Sequence, residues 1–176
     1  MGDSFDFELP QSQSVVVVSS NDSDGMIAQT AIGQGETQMT PFMLNMLTGA
    51  IANEGILYTP YMIDRVLDQK GNQVEKNLPK LWGSLMKPDE AAYLEELMRN
   101  VAEYGTASEL WCDSCEIYGK TGTAQVEGGE DHSWFTGYTK VDGKVDLAIT
   151  ILIENGGSDK KAVPLAQEIL YQYYGY

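Results

Sequence analysis

The chain has 176 residues, enough for one folded unit with a core and short of two, and 43% of them are hydrophobic. Its 26 acidic against 11 basic side chains leave a net charge of -15, which repels phosphate backbones and anionic headgroups, so neither a nucleic-acid partner nor membrane contact is expected of this piece. No apolar run approaches the roughly 20 residues of a membrane-spanning helix, and MGDSFDFELP lacks a signal peptide's basic and apolar regions; either the chain is cytoplasmic or its targeting segment lies outside it.

Residues 1–25 are polar and rich in Ser, Asp and Gln apart from Val15 to Val18, and read as an extended lead-in. GQGETQ, residues 33–38, lacks the third glycine of a dinucleotide loop and opens no helix after a strand. A helix is predicted from Thr40 as N-cap and Pro41 at the first position, carrying Phe42, Met43, Leu44, Met46, Leu47, Ala50 and Ile51 and ending at Asn53-Glu54-Gly55. Its apolar residues cover more than one face, so it should be mostly buried. A peripheral hairpin turning at Lys70, Gly71 and Asn72 follows, then a second helix after Pro88 with Ala91, Leu94, Leu97, Met98 and Val101 inward.

Cys112 and Cys115 form a CxxC, a spacing used by redox dithiols, by half of many zinc sites, and by loop cysteines that oxidise to each other outside the cell. With one histidine, His132, and no further cysteine, a zinc site would need carboxylates or a second chain; no metal and no cofactor is expected. His132 reads as a solvated loop residue.

EIYGKTGTAQV, SWFTGYT and VDLAITILIEN read as strands joined by loops short enough for antiparallel hairpins. The third is apolar on both faces and must be covered on both sides. An amphipathic C-terminal helix, with Val163, Ala166, Ile169, Leu170 and Tyr173 as core, can cover one of them. The fold class is therefore α+β, an antiparallel sheet with the C-terminal helix packed on it and a helical subdomain.

Lys120-Thr121-Gly122 lies on the first of these strands, which has one hairpin partner and hence a second edge that is open, paired elsewhere or lining a cleft. Glycine weakens a strand, so Gly119 and Gly122 imply that something approaches this backbone closely. An ammonium, the Thr121 and Thr123 hydroxyls and a bare backbone suit an anionic acyl substrate: the charge attracts it, the hydroxyls bond a carboxylate, and backbone amides can hold a developing oxyanion.

AIGQGETQMTPFMLNMLTGAIANEGILYTP, with its Gly-Gln-Gly, Thr-Pro and Ala-Asn-x-Gly elements, and GKTGTAQ followed by HSWFTGY resemble the penicillin-binding proteins over nearly the whole chain, most of all the transpeptidases without a glycosyltransferase. The resemblance implies a partial β-lactamase/transpeptidase-like fold and serine acyl transfer on peptidoglycan stem peptides, blocked by β-lactams. It implies that Lys120 tunes the acylation site and helps proton transfer, that Thr121 and Thr123 bond the substrate carboxylate, that Gly122 keeps the strand clear, and that the Thr123 amide is half of an oxyanion hole. It implies an extracytoplasmic full-length protein whose membrane anchor is absent from this chain.

The family's S-x-x-K nucleophile and S-x-N loop precede the Gly-Gln-Gly segment, so residues 1–176 are read as the C-terminal portion of a transpeptidase domain, inactive alone. Ser84 to Lys87 and Ser158 to Lys161 fit S-x-x-K as strings, but Pro88 starts a helix just after the first and the second follows Lys-Thr-Gly in a loop. Ser19-Ser20-Asn21 fits S-x-N where the family has a variable connection. The missing strands and nucleophile helix should leave exposed apolar surface and a tendency to self-associate. Two alternatives are a non-catalytic binding or assembly module on the same half-fold, and a hydrolase on the same scaffold.

Overall fold

The lead-in gives way to regular structure where Ser23 accepts a hydrogen bond from the Met26 amide and caps α1, Asp24–Ala31. This computed structural model describes residue 5, residues 7–157 and residues 161–175. Helix α1 differs from the extended lead-in expected here, whose end it overlaps: it is short and buries no residue, so its sequence shows little apolar periodicity. Before it, Val15 and Gln38 exchange two backbone hydrogen bonds, and Phe5 and Phe7 pack on Phe42.

Helix α2, Pro41–Ala52, starts as its sequence dictates: the Thr40 hydroxyl accepts from the Met43 amide at 3.1 Å and Pro41 takes the first turn. It ends at Asn53, after which the chain enters β1, Ile56–Thr59. The hairpin of β2, Arg65–Leu67, and β3, Gln73–Lys76, turns as expected, with the Asp68 carboxylate accepting from the Lys70 and Asn72 amides. The strand β4, Lys80–Ser84, pairs antiparallel with β1 across that hairpin, a long-range pairing that no local alternation announces. Helix α3, Pro88–Glu103, opens with the Glu90 carboxylate accepting from the Lys87 amide.

The central sheet has the order β5-β6-β7, built from Glu116–Ala124, His132–Val141 and Lys144–Ile153 in antiparallel register. Helix α4, Ala162–Tyr174, covers one face and α2 with α3 the other, so the doubly apolar β7 is covered on both sides as expected. The Ser133 hydroxyl accepts from the Ala162 amide and ties the start of α4 to β6. Phe135, Ile151, Val163 and Ala166 form the core beneath α4; Tyr118, Tyr138, Met98 and Ala52 form the core beneath α3.

Three helical faces depart from expectation. Ile169 and Tyr173 are exposed: α4 packs on β6, on β7 and on the segment before β5, where Gln167 bonds the Trp111 backbone, and its buried stripe narrows to Ala162, Val163, Ala166 and Leu170. Leu97 of α3 is 43% exposed, and α2 buries only Thr48, Ala50 and Ala52 fully. The flanks of α2 and α3 that face each other border an open apolar groove of about 930 Å³, which Leu44, Leu47, Ile51, Leu94 and Leu97 line. Apolar surface is open to solvent there.

On the α3 side, Tyr118 and Tyr138 stack at 4.7 Å, Tyr138 donates to Glu95, and Lys140 bonds both Glu95 oxygens at 2.6 and 2.7 Å. Desolvation, reinforced by the Glu116 carboxylate, pushes Tyr118 from 10.0 up to about 12, and desolvation with Glu95 pushes Tyr138 up as well. Above pH 10 the unfolded chain releases tyrosine protons that the folded chain retains, so stability is full below that pH and is lost as pH rises towards 12. Urea midpoints measured from pH 8 to 11 should fall above pH 10, and Tyr138→Phe should flatten the slope; an unchanged slope in that variant would remove Tyr138 as its source.

Candidate active site

Among the described residues strand β5 is an edge strand, and of the alternatives left for its second edge, the one found is that it lines a cleft. Gln34 donates from its side chain to the Thr123 carbonyl at 3.2 Å, so that carbonyl points away from β6. In an antiparallel strand a residue's amide and carbonyl point the same way, so the Thr123 amide also faces the open edge. The Lys120 ammonium donates to the Thr121 carbonyl at 2.6 Å, along the same edge.

A cleft of about 310 Å³ runs beside this edge, lined by residues 120–124 of β5, by Trp134 and Thr136 of β6, and by Gly33, Gln34 and Thr37 of the loop after α1. Lys120 is the one charged side chain among the described residues that line it, in a protein of net charge -15. Lys120, Thr136 and Leu44 also line the apolar groove, so the ammonium stands where cleft and groove meet.

The two glycines serve different purposes. A Cβ on Gly119 would lie 2.6 Å from the Phe135 ring, and one on its cross-strand partner Gly137 would lie 2.3 Å from the Tyr118 carbonyl. The close approach at Gly119 therefore comes from the protein's own core. Gly122 pairs with Trp134 and lines the cleft, where a Cβ would meet the Trp134 Cβ at 3.3 Å.

Thr121 and Thr106 place their hydroxyl oxygens 2.6 Å apart. When Thr106 donates, the Thr121 proton remains available for an acceptor. The Thr37 hydroxyl is buried and has no hydrogen-bond partner among the described residues, and it borders the cleft. The string-level alternatives fall elsewhere. Ser84 ends β4 and Lys87 precedes the first turn of α3, so they share no helical turn. The Ser19 hydroxyl accepts from the Asn21 amide within a local turn. Ser158, Asp159 and Lys160 lie outside the described residues, as do Met1 and Gly2.

His132 begins β6 rather than standing in a loop, and its Nδ1 accepts from the Asn155 amide at 3.0 Å. Cys112 and Cys115 are bonded to each other as a disulfide in the loop before β5.

The family model for the penicillin-binding protein transpeptidase domain matches residues 1–174. The chain belongs to this family. Peptidoglycan D,D-transpeptidase MrdA of Haemophilus influenzae is 29% identical over 170 residues, covering 85% of this chain and 26% of that protein. MrdA of Acinetobacter baumannii is 30% identical over 161 residues, covering 82% and 24%. This penicillin-binding transpeptidase chain thus spans about a quarter of the length of these relatives.

Among solved structures, penicillin-binding protein A from M. tuberculosis as an imipenem acyl-enzyme has a TM-score of 0.81 at 23% identity, covering 93% of this chain and 37% of that one. Penicillin-binding protein 3 from the same organism gives 0.76 at 24% identity over 94% and 42%. These likenesses establish the α+β, partial transpeptidase fold.

Reading the sequence of this penicillin-binding transpeptidase chain missed Gln34, Thr37, Thr106 and Thr136 as neighbours of the strand. Gln34 sits in the Gly-Gln-Gly element, a signal that was visible; for the three threonines only long-range contacts bring them to β5.

Proposed function

We propose that residues 1–176 are the C-terminal portion of a serine D,D-transpeptidase domain that binds peptidoglycan stem peptides and β-lactams and carries the substrate-binding strand without the nucleophile. The observation that carries this reading is the Lys120 ammonium, the one charged side chain among the described residues lining a cleft along the open edge of β5, in a chain of this family. Lys120 supplies positive potential and helps proton transfer, Thr121 and Thr123 bond the substrate carboxylate, and Gly122 leaves room for the substrate backbone. The Thr123 amide, facing the open edge, stabilises the oxyanion as the serine oxygen bonds to the acyl carbon. The C–N bond then breaks and the serine proton passes to the departing nitrogen.

The preceding part of the domain, with S-x-x-K and S-x-N, packs against the apolar groove beside Lys120. Alone, the chain is inactive and associates through that groove. The full-length protein is membrane-anchored and works outside the cytoplasm; among the described residues no helix is long and apolar enough to cross a membrane.

Intact-protein mass spectrometry after incubation with benzylpenicillin tests this directly. The 176-residue chain should show no covalent adduct, and the complete domain should show one acyl group. An adduct on the short chain would place a working serine within it, and no adduct on the complete domain would favour the binding-module alternative.

A further inference from the structure

Lys120, Thr136 and Thr150 are aligned partners across β5, β6 and β7, so their side chains share the face covered by α2. From α2, Thr48 and Asn45 reach the same row: Thr48 Oγ1 lies 2.7 Å from Thr136 Oγ1, Thr136 Oγ1 lies 2.7 Å from Thr150 Oγ1, and Thr150 donates to Asn45 Oδ1 at 3.2 Å. Thr48 and Thr136 are 2% and 8% exposed. Between a helix and a sheet that otherwise meet through apolar groups, a row of hydroxyls is disfavoured against valines of the same shape unless every one is bonded.

Counting protons shows what the row offers. Each threonine hydroxyl has one proton. Thr48 is placed to give its proton to the Leu44 carbonyl at 2.9 Å, and Thr150 gives its own to Asn45. Thr136 would then stand between two acceptors with a single proton, leaving one 2.7 Å contact without any. The conflict disappears when Thr48 turns to Thr136, Thr136 donates to Thr150 and Thr150 donates to Asn45. In that one-way chain Thr136 Oγ1 accepts from Thr48 and retains a second lone pair. Thr136 and Lys120 border the same cleft and the same groove, and Cβ atoms of directly opposed residues lie about 5 Å apart.

We infer that Thr136 is a positioning residue for Lys120: its hydroxyl oxygen accepts the ammonium when a ligand's backbone takes over the Thr121 carbonyl on the open edge of β5. In this structure the ammonium donates to that carbonyl. An extended ligand pairing with β5 needs the same acceptor. Displaced from it, the ammonium turns to Thr136 and stays beside the cleft, and the row from α2 keeps the Thr136 lone pair aimed there. The inference rests on the reading that Lys120 serves acylation.

A double-mutant cycle in the complete domain tests it, with benzylpenicillin acylation rates for wild type, Lys120→Ala, Thr136→Val and both together. Thr136→Val should lower the rate about 10-fold, the scale of a lost hydrogen bond to a charged group. Thr136→Ser, which keeps the hydroxyl, should recover most of it. In the Lys120→Ala background Thr136→Val should have no further effect. Should the valine variant fail to fold, Thr136→Ala gives the same cycle. Multiplying effects, or a serine variant as impaired as the valine one, would overturn the positioning role while leaving that of Lys120 standing. A Lys120→Ala protein that acylates at the wild-type rate would overturn the reading of Lys120 and this inference with it.

Discussion

Lys120→Ala in the complete domain should lower the second-order rate of acylation by benzylpenicillin about 100-fold, the scale seen when one preorganised electrostatic group is removed from an acyl-transfer site. The expectation follows from placement. The ammonium is the one charged side chain among the described residues lining the cleft, and it is bonded to the edge of the strand along which an acyl ligand would lie. In a protein of net charge -15 no diffuse positive field replaces it, so an anionic ligand would meet a cleft with no counter-charge. Lys120→Arg retains the charge but spreads it over a planar fork longer than the ammonium, and should recover only part of the rate. The alanine variant should keep its melting temperature, because the Lys120 side chain is exposed and, among the described residues, its hydrogen bond goes to a neighbouring carbonyl. An unchanged acylation rate would show that the cleft does not work through this lysine.

Phe135→Ala should destabilise the 176-residue chain by about 3–5 kcal/mol, the range for removing a buried aromatic ring. That is a large part of the roughly 5–15 kcal/mol by which folded domains are stable. Phe135 is 1% exposed and packs with Leu110, Ile151, Val163 and Ala166 between the sheet and α4. Its ring also fills the space over the paired glycines 119 and 137, so its loss leaves a hole directly behind Lys120 as well as under α4. Leu97→Ala, in the open groove, should cost far less because that side chain is already 43% exposed. Urea unfolding of both variants makes the comparison; equal losses would mean that the α4 face is not the better packed of the two.

What the amino-acid sequence determines by itself is the part that local chemistry specifies. Thr40 and Pro41 start α2, Pro88 starts α3, and the turn at Lys70, Gly71 and Asn72 closes its hairpin, because each acts through neighbours within four residues. The alternation of three strands and their short loops specified an antiparallel sheet with β5 at its edge, and the edge position made Lys120, Thr121, Gly122 and Thr123 a candidate site. The faces of α2, α3 and α4 are less legible, since periodicity marks which residues are apolar and leaves open what, if anything, covers them. Leu97, Ile169 and Tyr173 are apolar at helical spacing and exposed all the same.

Long-range packing decided the remainder. The β1–β4 pairing spans the β2–β3 hairpin, Gln34 meets Thr123 across 89 residues, and Thr48 meets Thr136 across 88. Gly119 shows the difference at a single position: its need for a bare backbone was visible in the sequence, but that the neighbour is the Phe135 ring was not. A residue's own chemistry states what it can bond or bury. Which partner it finds depends on how distant segments pack, and that is set by the shape of the whole core rather than by any stretch of chain within it.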